Sequence, residues 1–297
     1  CNPYTDPDVK KTKKIKDNLY LINLMNYNLK IDFFNVLKKE STPKYIQIYS
    51  TEYEMDLKTL KEYIKDGYKI IYEYIDDIHP DISNTDEILP NIQQKYDYVM
   101  SDIENVLVVV TADNLEKDVV SKRGKEKLVY SANGVDYKHF TEIKEIELND
   151  DFKKILSMEK PIIGYYGALA KWFDYKLVEY LAKNRKDYQI VLFGAKYDDS
   201  FDESNLSKYD NIHFLGKINY NVLPNYAQHF TLCTIPFLVN DITNATSPLK
   251  LFEYMSLKKP IVTSAMYECK KFKSVMIANN KEEFINLIDK AINMNTK

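Results

Sequence analysis

Glycine is scarce in this chain, at 7 in 297 residues, and cysteine is scarcer, at Cys1, Cys233 and Cys269 only. Three cysteines with no CxxC make no paired framework. That excludes a disulfide-stapled secreted scaffold, fits a reducing compartment and leads us to expect a cytoplasmic protein. No run approaches the roughly 20 apolar residues that a helix needs to span a bilayer. No sign of charge dominates: 41 Lys and Arg stand against 44 Asp and Glu, spread through the chain, for a net charge of −3. This argues against nucleic-acid binding as the main task. His139, His213 and His229 lack metal-ligand spacing and read as structural. The opening CNPYTDPDVKK shows no signal peptide, and a start at Cys suggests that upstream sequence has been left out.

What is present is a globular composition, 45% apolar in 34.9 kDa, with 25 tyrosines that look like a compositional bias. One large or two medium domains are expected. Strand-like runs fall at Asn18–Ile22, Tyr45–Tyr49, Lys69–Ile75, Val106–Thr111 and Lys127–Ser131, with helices at Asp56–Asp66 and Asn114–Lys122. After a charged candidate linker, Thr141–Lys160, the alternation is cleaner. Strands are predicted at Pro161–Tyr166, Gln189–Phe193, Asn211–Leu215, Thr231–Pro236, Pro260–Ser264 and Ser274–Ala278. Helices between them fall at Asp174–Lys183, Val222–His229, Pro248–Leu257 and Glu282–Met294. Such alternation predicts an α/β chain of two Rossmann-like domains facing across a cleft, residues 1–150 and 151–297. The first opens on a loop and a lysine-rich stretch (Lys10, Lys11, Lys13, Lys14, Lys16). We therefore expect its opening strand-helix unit to be missing, or supplied by another segment or chain.

The segment SPLKLFEYMSLKKPIVTS, Ser247–Ser264, carries the most chemistry. Ser247 can cap a helix and Pro248 suits its first turn. Bare N–H groups near Ser247, Leu249 and Lys250 would make a diphosphate site at the helix start, and Glu253 lies where a carboxylate can reach a ribose. The alternative is a capped surface helix with a Lys250–Glu253 pair.

With that segment in place, four stretches in order resemble bacterial GT-B glycosyltransferases of family four (glycosyl transferases group 1), including those of cell-envelope polysaccharide synthesis of the teichuronic-acid type. They are YSANGVDYKHF (130–140), PIIGYYGALAKWFDYKLVEYLA (161–182), NIHFLGKINYNVLPNYAQHF (211–230) and Ser247–Ser264. YEYIDDIHPDI (72–82) matches more weakly. The resemblance implies a GT-B fold and a UDP- or GDP-sugar donor held by the second domain. It also implies a glycan or lipid-linked acceptor at the first, no cofactor, no catalytic metal and retention of anomeric configuration. It gives donor roles to Gly167, Lys171, Tyr220, Asn244, Ser247, Leu249, Lys250 and Glu253. Relatives often carry a Glu eight positions before Glu253, where this chain has Ala245, and an Arg near Lys171, where it has none. Asp241, Thr243 or Asn244 would have to substitute for the former.

Each assignment has a plainer reading. Gly167 permits close backbone approach, whereas Lys171 and Trp172 also fit a surface lysine and a ring packed on the sheet. Ile218 or Tyr220 would lie beside a nucleobase, or simply pack the loop Lys217–Leu223. Asp77 or His79 would orient the acceptor hydroxyl or take its proton at the end of KIIYEYI; otherwise they cap a helix before Pro80. Asn133-Gly134 reads as a tight turn, or by resemblance as the exit to the linker. Asp198-Asp199 reads as solvated loop. The lysine-rich start reads as a solvated segment; as a peripheral membrane contact at the inner face it would suit a lipid-linked acceptor. The expected function is transfer of a sugar from a nucleotide-sugar to a hydroxyl. A non-catalytic nucleotide-sugar-binding partner of a larger assembly is the second expectation and a GT-B epimerase the third, although no carboxylate and histidine set for proton abstraction stands out.

Overall fold

In the computed structural model the described residues are 12–17, 19–22, 35–36, 39, 41–143 and 145–295. Strands β1 (Thr12–Lys16) and β2 (Leu19–Ile22) form an antiparallel pair. The lysine-rich start is therefore partly strand, not loop. The run ending at Ile22 pairs with it instead of joining a parallel sheet; Asn18 lies outside the described residues. Lys14, Ile15 and Lys16 are all exposed, and burial-based reading of strands overlooks such a ribbon.

Strands β3 (Lys44–Tyr49), β4 (Tyr68–Tyr74), β5 (Val106–Val110) and β6 (Leu128–Tyr130) make a parallel sheet in chain order. Alternate residues of β4 and β5 are buried, among them Ile70, Tyr72, Tyr74, Val108 and Val110. The helix Pro90–Ser101 packs here by Tyr96, Val99 and Met100. It was not anticipated, although its apolar spacing and the Pro at its start are helical signals.

The second sheet is built from β7 (Ile162–Tyr166), β8 (Gln189–Phe193), β9 (Ile212–Phe214), β10 (Leu232–Ile235), β11 (Ile261–Ser264) and β12 (Val275–Ala278). All pairs are parallel, in the order β12-β11-β10-β7-β8-β9. Strands β7, β8, β10 and β11 are buried at every position, because helices cover both faces. The helix Tyr175–Asn184 turns Val178, Leu181 and Ala182 inward, and Asp174 caps it by accepting from the Leu177 amide. The helix Lys281–Asn295 buries Phe284, Ile285, Ile288, Ala291 and Ile292. Each such valine, leucine, isoleucine or phenylalanine contributes about 1.5–3 kcal/mol of burial. Within the charged stretch Thr141–Lys160, the helix Asp150–Leu156 sends Phe152 and Ile155 into this same core, as Phe140 does just before it.

Candidate functional site

The second sheet reverses its winding between β7 and β10, and ligands of open α/β sheets bind at the strand ends beside such a reversal. Three glycines lie at those ends. Gly167 follows β7 with φ +140° and Gly194 follows β8 with φ +149°; Gly216 has φ +71°. A Cβ on Gly194 would stand 1.7 Å from the Gly167 carbonyl oxygen, so the two loops touch backbone to backbone. They floor a pocket of about 360 Å3 whose walls include Tyr166, Ile218, Tyr220, Lys250 and Glu253.

The helix Leu249–Ser256 points its start into this pocket. Pro248, in extended conformation, occupies the cap position, and no side chain caps the helix. Ser247 was expected to cap it; one residue too early for that, it instead has its carbonyl oxygen accepting from Asn133 Nδ2 at 2.7 Å. The uncapped first-turn amides and the helix dipole favour an anion. Lys250 extends alongside: a Cβ on Gly167 would meet its Cε at 2.8 Å and its Nζ at 3.1 Å. Its ammonium lies 4.8 Å from the centre of the Phe237 ring and 5.5 Å from that of Tyr165. Burial pulls the Lys250 amine down to about 8, with Glu253, Cys269 and Asp76 opposing.

One turn on, the Glu253 carboxylate is 8% exposed and accepts from the Tyr220 hydroxyl at 3.1 Å. Burial, followed by the charge of Glu253, raises the Tyr220 phenol to about 12. Tyr220 is held from below. His139 stacks on its ring at 4.8 Å, the His139 Nε2 bonds the Tyr220 carbonyl at 2.9 Å, and Phe140 meets the ring edge-on. This role for His139 escaped sequence reasoning, since 81 residues separate the partners and no local pattern joins them.

A second cavity of about 320 Å3 shares Leu249 and Lys250 with the first and opens toward the first sheet. Trp172, Phe237, Ile75, Ile82 and Ile242 give it apolar walls, and Asp76 supplies a carboxylate. Asp76 accepts from Thr246 Oγ1 at 3.4 Å. Burial raises its carboxyl to about 6, against the pull of Thr246 and Lys250, and Asp77 adds a smaller push upward.

The residues singled out from the sequence are only partly brought together. Gly167, Tyr220, Leu249, Lys250 and Glu253 line the first pocket, and Ser247 lines the second. Asp77 and His79 are not among the residues lining either. Asp77 accepts from the Tyr74 hydroxyl and the Ile78 amide, and His79 caps the helix Pro80–Ser83 by accepting from the Asp81 amide through Nδ1. Lys171 turns away to Asp81 at 3.6 Å, while its neighbour Trp172 faces the cavity. Asn244 spends its side-chain oxygen on the Tyr267 amide. Asp241 is exposed, Thr243 donates to the Leu238 carbonyl, and Ala245 is buried in the first sheet's core. Asn133-Gly134 forms no hairpin: β6 ends at Tyr130 and the chain runs on without regular structure to Asp136. Asp198 accepts from the Lys171 amide and serves its own loop.

The strand ends of the two sheets face each other. Asn114 Nδ2 donates to the Asn244 carbonyl at 3.0 Å, the Asp113 amide to Glu268 Oε1 at 3.0 Å, and the Tyr197 hydroxyl to the Ile82 carbonyl at 2.8 Å. Lys271 bridges Asp113 and Glu268. Every one of these groups follows the C-terminal end of a strand, and the second cavity lies between the sheets, lined by Ile75, Asp76 and Ile82 from one side and Phe237, Thr246 and Lys250 from the other.

Comparison with known proteins agrees with this arrangement. Residues 160–294 match the family described as Glycosyl transferases group 1. Over 198 residues the chain is 25% identical to TuaH of Bacillus subtilis, which is named provisionally as a teichuronic acid biosynthesis glycosyltransferase; the match covers 63% of this chain and 49% of TuaH. The chain thus spans about half the length of that relative. Sucrose-phosphate synthase from Thermosynechococcus elongatus is similar in structure with a TM-score of 0.65 at 15% identity, covering 96% of this chain and 77% of that one. Anabaena Alr3699/HepE, solved with UDP and glucose, gives 0.60 at 14% over 91% and 73%. WaaG, a glycosyltransferase involved in lipopolysaccharide biosynthesis, gives 0.59 at 11% over 91% and 74%. The chain has the GT-B fold, and its residues 160–294, somewhat less than half of it, are similar to the glycosyl transferases group 1 family.

Proposed function

We propose that the chain transfers a sugar from a nucleotide-sugar donor, UDP- or GDP-linked, to a hydroxyl acceptor of a glycan or lipid-linked glycan. The observation that carries this is the uncapped helix start at Leu249, set against Gly167 and Lys250 at the winding reversal, with Glu253 one turn further on. In this reading the first-turn amides and Lys250 take the diphosphate, and Glu253, held by Tyr220, accepts from ribose hydroxyls. The base lies by Ile218 and Tyr220, and the sugar enters the cavity that Asp76 and Trp172 line. The acceptor oxygen bonds to the anomeric carbon as the bond from that carbon to the phosphate oxygen breaks, and the hydroxyl proton passes to the departing phosphate oxygen. The electron pair of the broken bond leaves with the nucleoside diphosphate, whose charge the helix and Lys250 stabilise. The group 1 likeness supports retention at that carbon, and TuaH and WaaG support a cell-envelope glycan as the product.

Thermal unfolding with UDP-, GDP-, CMP- and dTDP-sugars tests the reading. At about a hundred times its dissociation constant a true donor stabilises by about 2.7 kcal/mol. If none of the four classes raises the midpoint, the proposal is wrong.

A further inference from the structure

The two cavities differ in charge. The helix start and Lys250 give the first a positive rim. In the second, among the described residues that line it, Asp76 is the one carboxylate and Lys250 the one cation. Lys250 serves both: its ammonium lies over Gly167, which lines the first, and 4.8 Å from the centre of the Phe237 ring, which lines the second. Once a diphosphate is bound, Lys250 is committed to it, and a sugar entering the second cavity meets Asp76 with no other cation beside it. The rest of that wall is apolar or neutral: Trp172, Ile82, Ile242, Thr243 and Thr246. A hydroxyl can donate to Asp76 at little cost. A second carboxylate beside it cannot be accommodated in so desolvated a space without losing affinity.

We infer that the sugar subsite accepts uncharged hexosyl groups and rejects hexuronosyl groups, with Asp76, supplied by the opposite sheet, as the residue that discriminates. This rests on the reading of the first pocket as the diphosphate site. It assigns the choice of sugar to a residue at the end of β4, outside the matched 160–294 segment, so the pairing of the two sheets determines the specificity of the second. The groups facing Asp76 are Thr246 from the loop before the helix Leu249–Ser256, Lys250 from that helix and Asp77 from its own turn. Asparagine at position 76 keeps an oxygen to accept from Thr246 while removing the charge.

The test is isothermal titration at pH 8 with UDP, UDP-glucose and UDP-glucuronate, or the GDP series if GDP is the nucleotide that binds. The wild-type protein should bind the glucuronate about tenfold or more weakly than the glucose compound. In Asp76→Asn the two should come within about threefold. Equal wild-type affinities, or a tenfold gap that persists in Asp76→Asn, overturn the assignment while leaving the diphosphate site standing. Failure of both free nucleotides to bind removes the diphosphate site, and this inference with it.

Discussion

Lys250 has its ammonium against two aromatic rings and over a glycine, and burial holds its amine at about 8. A diphosphate placed at the same helix start supplies the charge that burial denies it, so binding should draw a proton from solvent. With a free-state value of about 8, the uptake is about 0.1 proton at pH 7, 0.5 at pH 8 and 0.9 at pH 9, provided the bound amine stays charged throughout. Above pH 8 the affinity should then fall, approaching tenfold per pH unit. Asp76, raised only to about 6, is ionised at pH 8 and does not confuse the measurement. The same shift acts on folding. The unfolded chain holds this proton more tightly, so between about pH 8 and 10.5 the contribution of Lys250 to stability rises with pH. At pH 7 its burial costs the folded protein about 3 kcal/mol. Lys250→Met, which keeps the stem and drops the charge, should stabilise the free protein while weakening the nucleotide. Calorimetric titration with UDP or GDP in two buffers of different ionisation enthalpy reads the proton directly. Tight binding with no proton uptake at pH 8 would refute the placement of the diphosphate beside Lys250.

Two further perturbations follow from the same pocket. Glu253→Gln should weaken UDP by about 1–2 kcal/mol but leave the affinity for a ribose-dideoxy analogue unchanged, because only the ribose hydroxyls donate to that carboxylate; an equal loss for both, measured by titration, removes its ribose role. Gly194→Ala would force a Cβ to within 1.7 Å of the Gly167 carbonyl at a φ of +149°, so urea unfolding should show a loss of about 3 kcal/mol or more together with weakened nucleotide binding.

Much of the second half was legible in the sequence, because its signals are local. All six of its predicted strands are present within a residue or two at the ends, since strands buried on both faces read as unbroken apolar runs. Pro224 sits in the first turn of Leu223–Ala227, where no backbone N–H is needed. The helix after Pro248, with Lys250 and Glu253 on it, was also visible, although the placement of the cap was not. Less of the first half was legible. The ribbon of β1 and β2 and the helix Pro90–Ser101 gave weak patterns, and lysine on a strand resembles lysine in a loop.

The sequence alone determined the alternation of strand and helix, the glycine after β7 and the helix that opens onto it, because each depends on residues close in the chain. Only the tertiary structure decided which of two adjacent aspartates faces the cavity. β4 ends at Tyr74, and beyond it strand alternation no longer fixes direction; contact with Thr246, 170 residues away, marks Asp76. In the same way Lys171 went to Asp81 while Trp172 and Lys250 took the cleft, since the two sheets meet there and a side chain's partner is set by what faces it across the gap.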